Sequence, residues 1–288
     1  MCVHIPKAKR DMNQGQGVST EEQQTEDEET AHKTRRLTPG IIVLIVVLIL
    51  CLIGAGIGIV YLVTTASQIE SADSTTSAQP ATPTAKDSGK TVDNPIDFTS
   101  LKKKNSDIYA WIYVPGTKIN YAICQNSENG YYLTHDVSKK ETQVGAIFSE
   151  NANAKDFDDP VTILYGHNGY GDTMFSTLHD YEDATFFKEH PYFYIYMPKH
   201  IYTYKIVSSY VSDNHNIMSV YDFTEESQVK AFQKKLENPD SITEQVDKSV
   251  KLKASDKTVV LSTCNTGVYE ATGRYLVSGV RTGDQRTN

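Results

Sequence analysis

The run Ile41–Val63 constrains this chain more than any other feature. All 23 of its positions are apolar, glycine or tyrosine, and none carries a charge. Wound as a helix at about 1.5 Å per residue it would reach about 35 Å, enough to cross a hydrocarbon core of about 30 Å. His32-Lys33-Thr34-Arg35-Arg36 precede it, and no Lys or Arg follows until Lys86. The excess of positive charge on the N-terminal side places residues 1–40 in the cytoplasm and everything after Val63 outside. A cleaved signal peptide would have a shorter apolar region, about 7–15 residues, close to the chain start. This run is longer and begins after forty residues, so the expectation is an uncleaved, single-pass anchor in the cell membrane with an extracytoplasmic C-terminal part.

That anchor divides the rest of the sequence. Residues 1–40 form a cytoplasmic tail whose acidic stretch Glu21-Glu22-Gln23-Gln24-Thr25-Glu26-Asp27-Glu28-Glu29 buries too little apolar surface to offset the entropy of ordering. Residues 64–94 are rich in Ser, Thr, Ala and Asp, with Pro80 and Pro83, and read as an extracytoplasmic linker. Residues 95–283 are long enough to bury one sizeable core, leaving 284–288 as a short tail. The net charge of −8 argues against nucleic acid as a partner. Of four cysteines, Cys2 is cytoplasmic and Cys51 within the membrane by this reading, which leaves only Cys124 and Cys264 on the extracytoplasmic side. A single bridge between them stays open; a disulfide framework does not.

The outer segment carries eight strand signals: Tyr109–Val114, Ile119–Gln125, Gly145–Ser149, Val161–Tyr165, Tyr192–Met197, Ile201–Tyr210, Thr258–Thr263 and Arg274–Arg281. Tyr192, Tyr194 and Tyr196 alternate with Phe193, Ile195 and Met197, the period of a sheet with two unlike faces. Regularly spaced short strands predict a closed or nearly closed barrel. Two helices interrupt it. One runs from about Asp97 to Asn105. The other starts after Thr224 as N-cap, with Val229, Phe232 and Leu236 on one face and Pro239 past its end.

Three strand ends hold candidate chemistry. Val259-Val260-Leu261-Ser262-Thr263-Cys264 is an apolar strand ending in a thiol, His167 follows the apolar strand ending at Tyr165, and Arg274 opens the next strand after Cys264. A nucleophile, an imidazole that moves protons and a permanent cation are the parts acyl transfer needs. Taken singly, each has a plainer reading: a cysteine packed as a small apolar core residue, a hydrogen-bonded loop histidine, a solvated charge at a strand start. His135, His179, His190, His200 and His215 lack metal-ligand spacing, so neither a metal nor any cofactor is expected.

At these residues the chain resembles the sortases, membrane-anchored cysteine transpeptidases of Gram-positive bacteria. Leu261-Ser262-Thr263-Cys264 matches the family's Leu-X-Thr-Cys signature, with Val260 where a Thr usually precedes it. Gly166-His167 and Arg274 match the family's histidine and arginine. Ala110-Trp111-Ile112-Tyr113-Val114-Pro115-Gly116-Thr117, Tyr131-Tyr132-Leu133-Thr134-His135, Gly166-His167-Asn168 with Met174-Phe175, and the helix before the cysteine strand are similar to class B. The resemblance implies a mainly β fold: a closed eight-stranded sortase-like barrel with an N-terminal helix and an inserted helix, preceded by one transmembrane helix. It implies Cys264, His167 and Arg274 as catalytic residues; Ser262, Thr263, Tyr165 and Tyr181 are candidates for lining the substrate groove, with structural roles equally open. It further implies secreted proteins bearing a sorting signal as substrates, cleaved after a Thr through a thioester on Cys264, and a peptidoglycan-precursor amine as acceptor.

Two rivals are distinguishable by experiment: a pilin polymerase whose acceptor is a lysine side chain, and a non-catalytic, membrane-tethered barrel. A papain-like enzyme places its cysteine before its histidine; here His167 comes first.

Overall fold

The structure is a computed structural model that describes residues 44, 46–51, 53, 91–264 and 273–288. The chain falls into two units, Met1–Ala66 and Ser67–Asn288. In the first, positions 44, 46–51 and 53 are helical with exposed apolar side chains. Most of the expected span 41–63, the tail 1–40 and nearly all of the linker 64–94 lie outside the described residues. Among the described residues, no helix is long and apolar enough to cross a membrane.

The second unit is mainly β. Its strands are β1 (Ile108–Tyr113), β2 (Asn120–Cys124), β3 (Ile147–Ser149), β4 (Val161–Tyr165), β5 (Tyr192–Tyr196), β6 (His200–Ser212), β7 (Gln245–Val246), β8 (Thr258–Cys264) and β9 (Arg274–Arg286). They run in the order β5-β1-β2-β3-β4-β8-β9-β6, and pairing of β5 with β6 closes an eight-stranded barrel, to which β7 adds along β6. The eight expected strands are those eight staves. β2 with β3 and β4 with β8 are parallel pairs; the other neighbours are antiparallel.

Strand alternation sorts the side chains into an inner core and two outer layers. Ala110, Ile112, Leu164, Phe193, Ile195, Val259, Leu261, Tyr275 and Val277 share the interior cluster. On the outside, Ile108, Trp111 and Tyr113 pack under helix α1 (Phe98–Lys104) through Phe98 and Leu101, which is why all six positions of β1 are buried. The α1 start is capped by Asp97, whose carboxylate accepts from the Ser100 N–H at 3.0 Å and from the Ser100 hydroxyl at 2.6 Å.

Two short helices were not legible from periodicity: α2 (Ala184–Glu189) and the single turn α3 (Ile217–Val220). The expected helix after Thr224 is α4 (Glu226–Glu237), which lays Phe232 and Leu236 over Val161, Ile163, Val260 and Leu276. Its N-cap is Glu225, not Thr224. The Thr224 hydroxyl instead donates to Asp222 at 2.6 Å, tightening the turn before the helix.

The tail expected at 284–288 is also corrected. β9 continues to Arg286 against β6, pairing His200 with Arg286, and Thr287 bridges to Val92. The chain end and the last residues before α1 thus seal one flank of the sheet.

Candidate active site

The parallel pairing of β4 and β8 puts the C-terminal ends of both strands on one rim, Tyr165 opposite Ser262. β9 runs antiparallel to β8, so its first residue returns to that rim, with Arg274 directly opposite Cys264. Topology alone therefore gathers three distant segments.

Arg274 is aimed by two contacts. Its Nε donates to Asn214 Oδ1 at 2.9 Å, and its Nη1 reaches the Cys264 Sγ at 3.8 Å. A fixed guanidinium beside sulfur favours thiolate over thiol. Cys264 is partly exposed at the strand end. Cys124 is the opposite case: a fully buried thiol, not half of a disulfide, pushed up to about 12 by burial. Two cysteines in one domain are thus chemically distinct.

His167 stands on a tightly packed turn. A Cβ on the preceding Gly166 would come within 2.5 Å of Ile147 Cδ1 and 2.8 Å of Phe175, so only glycine lets the chain pass. The His167 carbonyl accepts from the Phe175 N–H at 3.0 Å. Its ring Nε2 lies 2.8 Å from the Leu133 carbonyl oxygen. A carbonyl only accepts, so Nε2 carries hydrogen and Nδ1 is the nitrogen left to take up or release a proton. Leu133 belongs to a 3₁₀ turn, Tyr131–Leu133, within the motif Tyr131–His135 noted in the sequence. Its backbone oxygen has no side-chain signature, and sequence reasoning missed it.

Alternation also judges the four groove candidates. Ser262 shares the outer face with Cys264, and with Tyr165, Glu150, Asp213, Asn216 and Arg274 it lines a cavity of about 200 Å³ beside the rim. Burial raises the Tyr165 hydroxyl above its ordinary range, the Glu150 carboxylate adds to this and Arg274 opposes it, so this wall of the cavity is a neutral phenol. Thr263 and Tyr181 are corrected. Thr263 is fully buried on the opposite face from Cys264, as a neighbouring strand residue must be. Tyr181 is fully buried in the interior cluster, and its hydroxyl donates to the His190 carbonyl at 3.0 Å. Among the described residues, no group of three or more His, Cys, Asp or Glu side chains is arranged to hold a metal ion.

The rim carries the Cys264 thiol and the Arg274 guanidinium, and the segment bearing His167 leaves β4 at the same end, so the parts that cysteine acyl transfer needs lie at one end of the barrel. A Sortase domain model matches residues 112–282, more than half of the chain, and the chain belongs to the sortase family. It is of class B and is a sortase-type cysteine transpeptidase. It is 30% identical over 183 residues to Sortase B of Listeria monocytogenes serovar 1/2a, covering 64% of this chain and 73% of that protein. It is 31% identical over 180 residues to Sortase B of Staphylococcus aureus, covering 62% and 72%. The fold is similar to that of Clostridium perfringens sortase B, with a TM-score of 0.58 at 26% identity, covering 64% of this chain and 99% of that one. Family membership implies a sorting-signal substrate and an amine acceptor.

Proposed function

We propose that Cys264 attacks the carbonyl of a Thr residue in the C-terminal sorting signal of secreted proteins and transfers the upstream protein to an amine of a cell-wall precursor. The observation that carries this reading is the register pair Cys264–Arg274, which sets a guanidinium nitrogen 3.8 Å from the sulfur. The thiolate adds to the carbonyl carbon, and the resulting oxyanion is stabilised by Arg274, whose planar, permanent charge suits the task. Collapse breaks the amide after Thr. His167 gives a proton to the departing amine, leaving a thioester on sulfur. The incoming amine then attacks, His167 takes its proton, and Cys264 departs as thiolate. The ring nitrogen that shuttles is Nδ1, because Nε2–H is committed to Leu133.

The cavity beside the rim, bounded by Ser262, Tyr165 and Glu150, is the groove for the signal. The uncharged run 41–63 with its basic N-terminal flank supports tethering in the bilayer with the catalytic unit outside, where exported substrates and wall precursors meet.

The test incubates the full-length protein with candidate sorting peptides and a panel of amines, and reads products by mass spectrometry. Expected are cleavage after Thr, a new amide to the wall-type amine, and no reaction with Cys264→Ala. Products joined through a lysine side chain of a second protein would favour polymerisation instead. Cleavage by Cys264→Ala would remove Cys264 from the reaction.

A further inference from the structure

Beyond the three residues assigned to chemistry, one cluster touches all three of their segments. His179, in the 3₁₀ segment Ser176–Glu182, holds its Nε2 3.1 Å from the carbonyl oxygen of Cys264. Its Nδ1 lies 2.6 Å from Glu182 Oε1. Its ring stacks on Tyr275, with centroids 4.6 Å apart and planes at 23°. Asn168 Nδ2 donates to the same Cys264 carbonyl at 3.1 Å and sits 3.1 Å from His179 Nε2. Asn168 follows His167, and Tyr275 follows Arg274, so the cluster meets the chain beside each reacting side chain.

The reason for such a device lies in the sheet. Along β8 the carbonyls of Ser262 and Cys264 point to the same side, toward β4. The Ser262 carbonyl still receives a backbone bond from Gly166 N–H at 3.1 Å. β4 ends at Tyr165, so at Cys264 two side chains stand where the ladder has run out. A backbone carbonyl left there without a donor would let the strand end fray.

The two side chains act as one unit. A carboxylate accepts, so Glu182 keeps hydrogen on His179 Nδ1. With Nε2 bare, Asn168 gives one amide hydrogen to Cys264 and the other to Nε2; with Nε2 protonated, the imidazole itself donates to Cys264. In both states the imidazole is needed: it orients the Asn168 amide when Nε2 is bare and donates to the Cys264 carbonyl itself when Nε2 is protonated.

We propose that His179, oriented by Glu182 and acting with Asn168, is a positioning residue that extends the hydrogen bonding of β8 past the end of β4 and holds Cys264 in register with Arg274. This rests on Cys264 being the nucleophile. Sequence inspection weighs His179 only as a metal ligand, because its partner lies 85 residues away.

The test uses full-length protein with His179→Phe, which keeps a ring over Tyr275 but removes both bonds, His179→Gln, which keeps a donor near the Nε2 position, and Glu182→Leu, which removes the acceptor for Nδ1. For His179→Phe we expect kcat on a sorting peptide to fall about tenfold with KM within about twofold. Iodoacetamide alkylation of Cys264, followed by peptide mapping, should slow several-fold. His179→Gln should recover most of both losses. Wild-type kcat and alkylation in a folded His179→Phe protein, or a His179→Gln variant as impaired as the Phe variant, would overturn the proposal. Should His179→Phe fail to melt cooperatively, Glu182→Leu decides: about threefold slower alkylation supports the role, and an unchanged rate refutes it. If the wild type cleaves no sorting peptide, the proposed reaction fails, while the alkylation ratios still decide the positioning role.

Discussion

Glycine at position 145 shows how narrowly the His167 ring is placed. Gly145 has φ +67, and a Cβ there would come within 2.5 Å of the Tyr132 carbonyl oxygen and 3.1 Å of His167 Cδ2. Any other residue is strained by its backbone angle and also presses on the imidazole and on the turn that supplies Leu133. Gly145→Ala should therefore lose peptide cleavage by about tenfold or more while retaining Arg274 and Cys264 in register. Steady-state kinetics beside a thermal melt check this; full activity would mean the ring tolerates displacement. At this scale the sequence told part of the story. That these three side chains come to one end of the barrel was legible, because Cys264 closes an apolar strand, Arg274 opens one and His167 follows one. Thr263 was misplaced because adjacent strand residues face opposite ways, so it cannot share the face of Ser262 and Cys264. Tyr181 was misplaced because a 3₁₀ segment has no period that separates inside from outside. The Leu133 oxygen and the His179–Glu182 pair were invisible, since a backbone carbonyl and a contact across 85 residues leave no local pattern.

Among the elements, α4 does most to stiffen the outer side of the β8–β4 wall. Phe232 and Leu236 are fully buried against Val260 and Ile163, directly beneath the strands that end at Cys264 and Tyr165. Phe232→Ala removes a buried aromatic and leaves a cavity, for which about 3–5 kcal/mol of stability loss is expected by urea denaturation. A loss under about 1 kcal/mol would show that the helix packs loosely and does not brace the wall. This helix was readable from its apolar spacing, but its start was not. Thr224 has the right chemistry for an N-cap, yet it is drawn into the Asp222 turn, and Glu225 takes the cap position without a side-chain bond. The end of β9 was unreadable for a related reason. Asp284, Gln285 and Arg286 look like a solvated tail, and only pairing with the long β6 strand makes them sheet. A contact of His200 Nδ1 with Asp284 Oδ1 at 2.7 Å accompanies that pairing.

For the molecule as a whole, barrel closure was legible from eight spaced strands, whereas what ties the loops to the barrel was not. The Asp107 carboxylate, 17% exposed, receives Lys139 at 3.0 Å, the Tyr132 hydroxyl at 2.8 Å and the Asn126 amide at 2.8 Å. Burial raises this carboxyl, but the bonds from Lys139, Tyr132 and Asn126 outweigh it and hold it below its ordinary range. A carboxyl lowered on folding stabilises above its unfolded value, near about 3.9, and loses that contribution as pH falls through the folded value. Asp107→Asn should thus cost about 1–2 kcal/mol at neutral pH, with the gap from wild type closing below about pH 4. Melting curves across pH measure it; a gap independent of pH would contradict the assignment.

The proposed reaction turns on the sulfur of Cys264 as the atom that bonds to substrate. Intact-protein mass spectrometry of the full-length chain, quenched in acid during turnover of a cleaved sorting peptide without added amine, tests that claim most directly. The account predicts an adduct equal to the peptide fragment ending in Thr, localised to Cys264, discharged by hydroxylamine and absent from Cys264→Ala. Cleavage that proceeds with the adduct on another residue, or with Cys264 still open to rapid alkylation throughout turnover, would contradict it.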